Sequence, residues 1–311
     1  MASTRNAADM PASDKTAPPQ KSLFKHSFAG VAAGGISTAI LYPLDLVKTR
    51  YQIHENSPRA FRSLGQAFAS IVKSDAGGSR YNLRALYQGM SPALYGTTLS
   101  WGLYFLFYEH AKSFYAEQTV LPAWAGHFAS GIQAGAMCVP LTNPIWLVKV
   151  RMQVQGTHPS QVPYKNVANA LQRIVAEEGV AALYKGVVPA LFLTTHGAFK
   201  FVAYEWLKTE YNDHIGTPLG IPQTLVMGAG AQAFASTATY PYQVIKTRLQ
   251  QGGPSADKYK GTWDCTKRMA QLEGLRGFYK GLTPNLIKVL PTGALIFAVY
   301  EYVYQLLDGP K

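Results

Sequence analysis

The stretch YPLDLVKTRYQ, from Tyr42 to Gln52, occurs three times in related form along this chain. It returns as NPIWLVKVRMQ from Asn143 to Gln153 and as YPYQVIKTRLQ from Tyr240 to Gln250. In each copy a proline is followed by lysine five residues on, arginine seven on and glutamine nine on. The residue two positions after the proline differs between the copies and is Asp45, Trp146 and Gln243 in turn.

Other motifs recur in the same order with a period close to 100 residues. The motif prolines, the glycines of LYQG, LYKG and FYKG, and the glutamates of YEHAK, YEWLK and YEYVY are spaced by 95 to 101 residues. These residues are Pro43, Pro144 and Pro241; Gly89, Gly186 and Gly281; and Glu109, Glu205 and Glu301. Repeats this long exceed the usual solenoid periods, so we expect a closed assembly of three units rather than an open array.

The predicted organisation is a disordered tail followed by three repeats. The tail covers 1–21, and the repeats cover 22–117, 118–214 and 215–311. The tail is polar and rich in proline, lacks the apolar core of a secretory signal and contains little arginine. Any import signal is therefore expected to be internal.

Each repeat contains two long helical candidates made largely of apolar residues. The first set covers about 22–52, 122–153 and 221–250, and the second covers about 90–112, 187–208 and 282–305. About twenty such residues cross a bilayer core of about 30 Å, and the GxxxG pairs allow close helix packing in lipid. The sequence predicts an all-α membrane protein with six transmembrane helices. A soluble helical solenoid is the alternative.

Positive charge is concentrated between the two long helices of each repeat. The segments 48–88, 149–186 and 246–281 hold 20 of the 29 lysines and arginines. With an even number of spans they lie on one side of the membrane, as the positive-inside rule requires, and both termini lie on the other. Topology thus accounts for the net charge of +12, and no nucleic-acid-binding motif is present. Amphipathic segments at 164–179 and 259–274 are expected on the membrane surface.

Sequence motifs of catalysis are missing. The chain contains no P-loop, dinucleotide-binding fingerprint, zinc-protease motif or nucleophile elbow. Its two cysteines, Cys138 and Cys265, match no disulfide framework or metal-binding spacing. We therefore expect no enzymatic activity, no bound metal and no prosthetic group.

As a set, these repeated motifs resemble those of the mitochondrial carrier family, over nearly the whole chain after residue 22. The resemblance implies six transmembrane helices in three pseudo-symmetric repeats, with short amphipathic helices on the matrix side and kinks at Pro43, Pro144 and Pro241. It implies a location in the mitochondrial inner membrane, with both termini toward the intermembrane space, and transport by alternating access. Cardiolipin is the implied lipid partner, and we expect a monomer.

The resemblance also implies a gate at each end of the transport path. At the matrix gate Asp45 would face Lys149, Trp146 would face Lys246 through a cation–π contact, and Gln243 would face Lys48, with Gln52, Gln153 and Gln250 bridging the pairs. The cytoplasmic gate would pair Glu109 with Lys208, Glu205 with Tyr304, and Glu301 with Lys112. Trp146 as a packing residue alone is the alternative for that position.

Symmetry-related positions with unlike chemistry are candidates for reading an asymmetric substrate. On the second helices they include Gly96, Phe192 and Lys288, followed within about two turns by Trp101, Tyr104, His196 and Lys200. A lysine inside a membrane helix is costly and marks a functional candidate, so Lys288 is expected to bind an anion. The aromatic residues predict a flat ring on the substrate. Packing is the alternative for His196, and snorkelling to a helix end is the alternative for Lys200.

Several segments are most similar to the branch of the family that carries FAD and folate. They are the Pro-Ile-Trp and Pro-Tyr-Gln motifs, SWGLYFLFYE, HGAFKFVAYE and NLIKVLP. FAD or folate would then be the transported substrate and not a cofactor. Carriers of this branch tend to have arginine where this chain has Lys288, and lysine lacks the planar guanidinium fork. NAD, a pyrimidine nucleotide or a carrier-like protein that binds without transporting remain alternatives.

Overall fold

The computed structural model describes residues 20–53, 63–74, 82–117, 123–156, 162–215, 219–252 and 258–308. Within these ranges every regular element is a helix. The long helices are α1 (Gln20–Ile53), α3 (Met90–Glu117), α4 (Ala123–Val154), α6 (Val187–Phe192) with α7 (His196–Ile215), α8 (Ile221–Gln250) and α10 (Leu282–Asp308). These positions agree with the predicted long helices to within seven residues, the largest difference being at the end of α7. The predicted tail lies outside the described residues, apart from the first residues of α1.

The second helical segment of the middle repeat is interrupted, which the sequence did not predict. A 3-10 turn over Leu193–Thr195 separates α6 from α7, whereas α3 and α10 are continuous. A stretch of 3-10 helix within a longer helix often marks a hinge or a strained site. The motif prolines Pro43, Pro144 and Pro241 lie inside α1, α4 and α8.

Short helices follow the first long helix of each repeat. They are α2 (Leu64–Ser74), α5 (Val167–Glu178) and α9 (Thr262–Glu273). The last two coincide with the predicted amphipathic segments, whereas α2 was not predicted. Each packs its apolar side against the long helix, at the residues directly after the position of Asp45, Trp146 or Gln243. In the first repeat, for example, Leu46 and Val47 of α1 pack against Ile71 of α2. Because residues 45, 48, 49 and 52 recur at helical spacing, they share the opposite face of α1.

Among the residues that the structure describes, three segments are long and apolar enough to cross a membrane, namely Phe28–Ile53, Val180–Ile215 and Leu275–Leu307. The most apolar stretch of the last of these has 0% of its residues buried within the protein. Large exposed apolar surfaces are rare on soluble monomers. The helices therefore belong in lipid, which favours the membrane fold over the soluble solenoid.

The chain divides into two compact units. One comprises α1 up to Ser37 together with α10 from Ala294, and the other runs from Thr38 to Gly293. The pockets and contacts that form the candidate site all lie within the second unit.

Candidate functional site

The residue before each motif proline ties its helix to the start of the following long helix. A side-chain donor at this position bonds the backbone carbonyl that precedes the repeated glycine. The three bonds run from Tyr42 to Gln88 (2.7 Å), from Asn143 to Lys185 (3.3 Å) and from Tyr240 to Lys280 (3.2 Å). These three residues were not predicted as functional, although their shared position directly before the proline is a signal that identifies them.

The repeated glycines are required by their backbone conformation and by close contacts. Gly89, Gly186 and Gly281 have φ angles of +79°, +81° and +83°, a region that glycine adopts readily. A Cβ atom on Gly281 would lie 2.9 Å from the Tyr240 hydroxyl and 3.0 Å from the backbone oxygen of Lys48. Each glycine thus lets its loop approach the helix that carries the motif lysine.

A polar pocket of about 180 Å³ lies between α1, α4 and α8. The nine residues predicted for the matrix gate all line it: Asp45, Lys48, Gln52, Trp146, Lys149, Gln153, Gln243, Lys246 and Gln250. Asp45 is the only carboxylate among the residues described as lining this pocket. Their assignment as a gate remains a prediction, but the fold brings all of them together.

Asp45 is the centre of the polar pocket. Its carboxylate, 9% exposed, is 2.7 Å from the Lys149 ammonium and 2.5 Å from that of Lys288. The amide of Gln153 also donates to it, at 3.1 Å. The Asp45–Lys149 pair matches the predicted one. The contact with Lys288 was not predicted, because the sequence analysis assigned that lysine to the substrate alone.

Trp146 and Gln243 occupy the positions equivalent to Asp45. Lys48 donates to the Gln243 side-chain oxygen at 2.8 Å. Both Lys149 and Lys246 lie over the Trp146 ring, 5.3 and 5.9 Å from its centroid. Lys246 has no carboxylate within ion-pair distance among the described residues, so the ring is its main partner there. Such cation–π contacts contribute about 0.5–2 kcal/mol.

The motif glutamines differ from the prediction in their contacts. All three were predicted to bridge the gate pairs; Gln153 reaches the Asp45–Lys149 pair, whereas the contacts of Gln52 and Gln250 are with other residues. Gln52 instead bonds the Tyr240 hydroxyl at 3.2 Å and Thr247 at 2.8 Å, and Gln250 bonds Asn143 at 3.2 Å. In each repeat the NH2 group of the buried glutamine amide bonds the residue before a motif proline, whereas Gln250 Oε1 has no hydrogen-bond partner among the described residues.

At the predicted cytoplasmic gate, Glu109 pairs with Lys112 of its own helix at 3.7 Å. Within the described part of the chain, neither Lys208 nor Glu205 forms an ion pair. The Glu109 side chain is 67% exposed, and exposed pairs contribute only about 0–1 kcal/mol. A lysine three residues away on the same helix is therefore enough to pair with Glu109. Glu301 accepts a bond from Gln305 at 3.0 Å, and Tyr304 stacks on Tyr300.

A larger cavity of about 390 Å³ adjoins the polar pocket. It lies between α3, α4, α6 and the 3-10 turn, and it is lined by Ser100, Trp101, Tyr104, Gly135, Cys138, Val139, Thr142, Asn143, Trp146, Ala190, Leu193, Thr194 and Lys246. Trp146, Leu193 and Lys246 line both spaces. Of the predicted substrate residues, Trp101 and Tyr104 face this cavity.

The other predicted substrate residues lie elsewhere. Gly96 is beside Trp146, because a Cβ atom there would be 3.4 Å from the indole. Phe192 stacks on Tyr242 at 5.2 Å, Lys200 is exposed, and Lys288 is held by Asp45. The structure therefore does not gather the seven residues into one pocket.

His196 lies between α7 and α8. Its Nδ1 is 3.0 Å from the Thr239 hydroxyl, and its Nε2 is 3.0 Å from the Gln232 amide nitrogen. Both ring nitrogens thus have partners within the protein, which supports the packing role. Gln232 occupies the position at which the other two repeats have the second glycine of GxxxG. Its contact with His196 gives it a structural role there.

Two buried arginines fasten the ends of α4 and α8 to the short helices. Glu178 accepts bonds from Arg151 at 2.9 Å and from Lys185 at 3.0 Å. Glu273 accepts from Arg248 at 2.9 Å and pairs with Lys280. Burial alone would raise the pKa of both carboxyls, but the bonds from arginine and lysine hold each pKa below its ordinary value. Their stabilising effect is therefore present at neutral pH and is lost as the pH falls through the lowered pKa.

Comparison with known proteins agrees with this architecture. The family model described as mitochondrial carrier protein matches residues 19–119, 122–214 and 217–311. The chain is 39% identical over 306 residues to folate transporter 1, chloroplastic, of Arabidopsis thaliana, covering 91% of this chain and 96% of the relative. It is 36% identical over 300 residues to nicotinamide adenine dinucleotide transporter 1, chloroplastic, of the same plant, covering 93% and 94%.

A further relative is the mitochondrial FAD carrier protein FLX1 of Saccharomyces cerevisiae. It is 29% identical over 299 residues, covering 90% of this chain and 96% of the relative. The helical fold, the apolar spans and the three tandem repeats define a multi-pass membrane carrier. The chain belongs to the mitochondrial carrier family, whose members are transporters and not enzymes.

Proposed function

We propose that this carrier moves a small anionic substrate with a planar ring across an organelle membrane, and that the substrate is folate or FAD. The observation that carries the proposal is the composition of the polar pocket and the adjoining cavity. In and beside the pocket four lysines accompany one carboxylate, and two tryptophans and a tyrosine line the cavity. An anion is stabilised by the lysines, and a flat ring by the aromatic side chains.

The named relatives support this substrate class. One is named for folate and another for FAD. NAD is the second candidate, because a relative of 36% identity is named for it. All three compounds combine a planar heterocycle with negative charge, so they share the chemistry that lysines and aromatic rings recognise. Each would be a transported substrate and not a resident cofactor.

The proposed mechanism is alternating access. In this structure the polar pocket has its Asp45 pairs formed, whereas Glu109 pairs with Lys112 of its own helix and not with Lys208. This is the arrangement expected when the gate at the polar pocket is shut. An incoming anion that takes Lys288 from Asp45 would weaken the closed arrangement, which is the differential binding that a substrate needs to shift a conformational equilibrium.

We place the carrier in the mitochondrial inner membrane, with both termini toward the intermembrane space. The concentration of lysine and arginine between the helices of each repeat supports that orientation. Two relatives are named as chloroplastic. In a cell that has both organelles, a tagged carrier should therefore be located by fractionating mitochondria and chloroplasts. Protease digestion of a terminal tag in mitochondria stripped of their outer membrane tests the orientation.

Cardiolipin is the proposed lipid partner. Helix α6 begins after Gly186 without a side-chain cap, and free N–H groups at a helix start attract phosphate. Basic residues near such starts suit cardiolipin, although Lys185 and Lys280 here also contact glutamates. Added cardiolipin should raise the melting temperature in detergent more than phosphatidylcholine does, with the site that has Gln88 in place of lysine the weakest. Equal increases of the melting temperature with cardiolipin and with phosphatidylcholine would refute cardiolipin as a specific lipid partner.

Uptake into proteoliposomes tests the function. Labelled folate, FAD, NAD and UTP are to be offered to vesicles with the carrier and to empty vesicles, and we expect saturable uptake of folate or FAD. Binding without uptake would support the carrier-like binding protein instead. Uptake of UTP alone would refute the proposed substrate. Light scattering of the detergent-solubilised protein would test whether the carrier is a monomer.

A further inference from the structure

The larger cavity has the size of a ring-binding site. Pockets for small molecules span about 300–1,000 Å³, so a cavity of about 390 Å³ suits a fused ring system and is too small for a whole dinucleotide. Its walls come from α3, α4, α6 and the turn at Leu193–Thr195, and Lys246 of α8 also lines it. Most of the lining side chains are apolar.

Two of the aromatic walls are held in place. The indole N–H of Trp146 donates to the Ser100 hydroxyl at 3.2 Å, which fixes the rotation of the ring. Trp101 meets Tyr104 edge to face, with 6.0 Å between centroids. Trp101 also stacks on Phe105 at 5.7 Å, and 57% of its surface remains exposed. Aromatic faces fixed in this way suit a planar ligand.

One part of the cavity wall is specific to the middle repeat. The turn that forms part of its wall has no counterpart in α3 or α10, which are continuous helices. Gly135 of α4 lies close to that turn, because a Cβ atom there would be 3.1 Å from Thr194 Cγ2. A feature present in one repeat of three can bind an asymmetric ligand without disturbing the other two.

Lys246 supplies a positive charge on the wall that separates the cavity from the polar pocket. It lines both spaces and has no carboxylate partner among the described residues. Lys288, by contrast, is engaged by Asp45. A ring lying in the cavity can therefore direct its anionic substituent toward Lys246 without first breaking an ion pair.

We propose that this cavity is the ring-binding subsite of the carrier, with the fused planar ring against Trp146 and Trp101 and the anionic group at Lys246. The proposal rests on the proposed function and deepens it, because it separates the ring site from Lys288. It also commits to one ligand class, a fused heteroaromatic ring that carries negative charge.

Cys138 provides a test, because it lines the cavity. The rate at which methyl methanethiosulfonate modifies Cys138 is to be followed by peptide mass spectrometry in proteoliposomes, and Cys265 in the same sample is a buried reference outside the cavity. Folate, FAD and NAD are the ring-bearing probes, and pyrophosphate is the anion without a ring. A bound ring at five times its Kd should slow modification of Cys138 by about sixfold.

A matched pair of variants links the protection to the cavity. Val139→Phe fills the space and should abolish protection by folate and FAD. Leu141→Phe adds a ring at a position on α4 that is 55% exposed and outside the cavity, and should leave protection intact. Loss of protection in both variants would overturn the proposal.

Uptake in the same vesicles separates this proposal from the proposed function. Uptake of folate, FAD or NAD without protection of Cys138, or equal protection by pyrophosphate, would overturn the subsite while the transport function stands. Protection by folate, FAD or NAD but not by pyrophosphate, without uptake, would support the subsite and refute transport. Neither protection nor uptake would overturn both.

Discussion

The polar pocket and the larger cavity share Trp146, Leu193 and Lys246, yet they differ in chemistry. The polar pocket measures about 180 Å³ and is organised by Asp45, whereas the cavity of about 390 Å³ is lined mainly by aromatic and aliphatic groups. Asp45 and Trp146 occupy the same position of the repeated motif. The same motif position therefore carries either a carboxylate that forms ion pairs or an indole that lines an open cavity.

The physical reason lies in what each side chain demands of its neighbours. A buried carboxylate is costly unless it is paired and hydrogen-bonded, so Asp45 draws Lys149, Lys288 and Gln153 around itself. The indole of Trp146 has one donor, which Ser100 satisfies, and its ring attracts lysines more weakly than a carboxylate does. Among the described residues Lys246 is therefore left without a carboxylate, and a cavity lies beside the indole.

The largest expected effect concerns Lys288, which belongs to the Asp45 cluster. Lys288→Ala should abolish transport, with a loss of at least about 100-fold, because the negative charge of the substrate beyond the group at Lys246 would lose water without a cation partner, which costs several kcal/mol. Asp45 would keep Lys149, so the protein should remain folded. Lys288→Arg should retain much of the activity.

Initial rates of uptake in proteoliposomes measure this effect, and the exposed Lys267→Ala on α9 is the matched control. Transport at the normal rate in Lys288→Ala would show that neither the Asp45 cluster nor the substrate depends on this lysine.

Asp45→Asn tests whether the polar pocket contributes more to the stability of the protein than the larger cavity does. Removing one partner of a buried pair costs about 3–5 kcal/mol, and here two lysines would lose their carboxylate. The denaturation midpoint in detergent should fall accordingly. Asp264→Asn, which breaks an exposed pair with Arg268, should change it little, and a similar change in both variants would contradict the prediction.

Trp146→Asp would convert the second position to the chemistry of the first. A carboxylate facing Lys246 should favour the closed polar pocket, and a tenfold shift of population requires about 1.4 kcal/mol, which one partly buried pair can provide. Cysteines introduced on the closed side of the gate should then be labelled more slowly. Trp146→Phe removes the donor without adding charge and serves as the control. Unchanged labelling in the aspartate variant would refute a gating role for this position.

The smallest expected effect concerns the wall of the cavity. Trp101→Ala should weaken transport of folate or FAD about fivefold, because an aromatic contact contributes about 0.5–1.5 kcal/mol, while leaving inhibition by simple phosphates unchanged. Phe105→Ala, its neighbour outside the cavity lining, is the matched control. A uniform loss for rings and phosphates would show that Trp101 supports the helix rather than the ligand.

The sequence by itself determined the six long helical segments and the three repeats. Periodic motifs 95 to 101 residues apart fix which positions are equivalent, and the length and apolar character of the helices indicate membrane spans. The resemblance to the carrier family, applied to these positions, paired Asp45 with Lys149 and Gln243 with Lys48 and named nine residues that line the polar pocket. Spacing is sufficient for the repeats because equivalent positions recur at a nearly fixed period along the chain.

Only the tertiary structure decided the contacts that break the symmetry. The Asp45–Lys288 pair joins residues 243 positions apart that share no motif, and the bonds of Gln52 and Gln250 depend on which donor or acceptor packing brings within reach. The turn at Leu193–Thr195 packs against α4 at Gly135 through Thr194, and the cavity lies beside this contact. Spacing identifies equivalent positions, whereas side-chain partners depend on the rotation and separation of packed helices, which a sequence pattern does not specify.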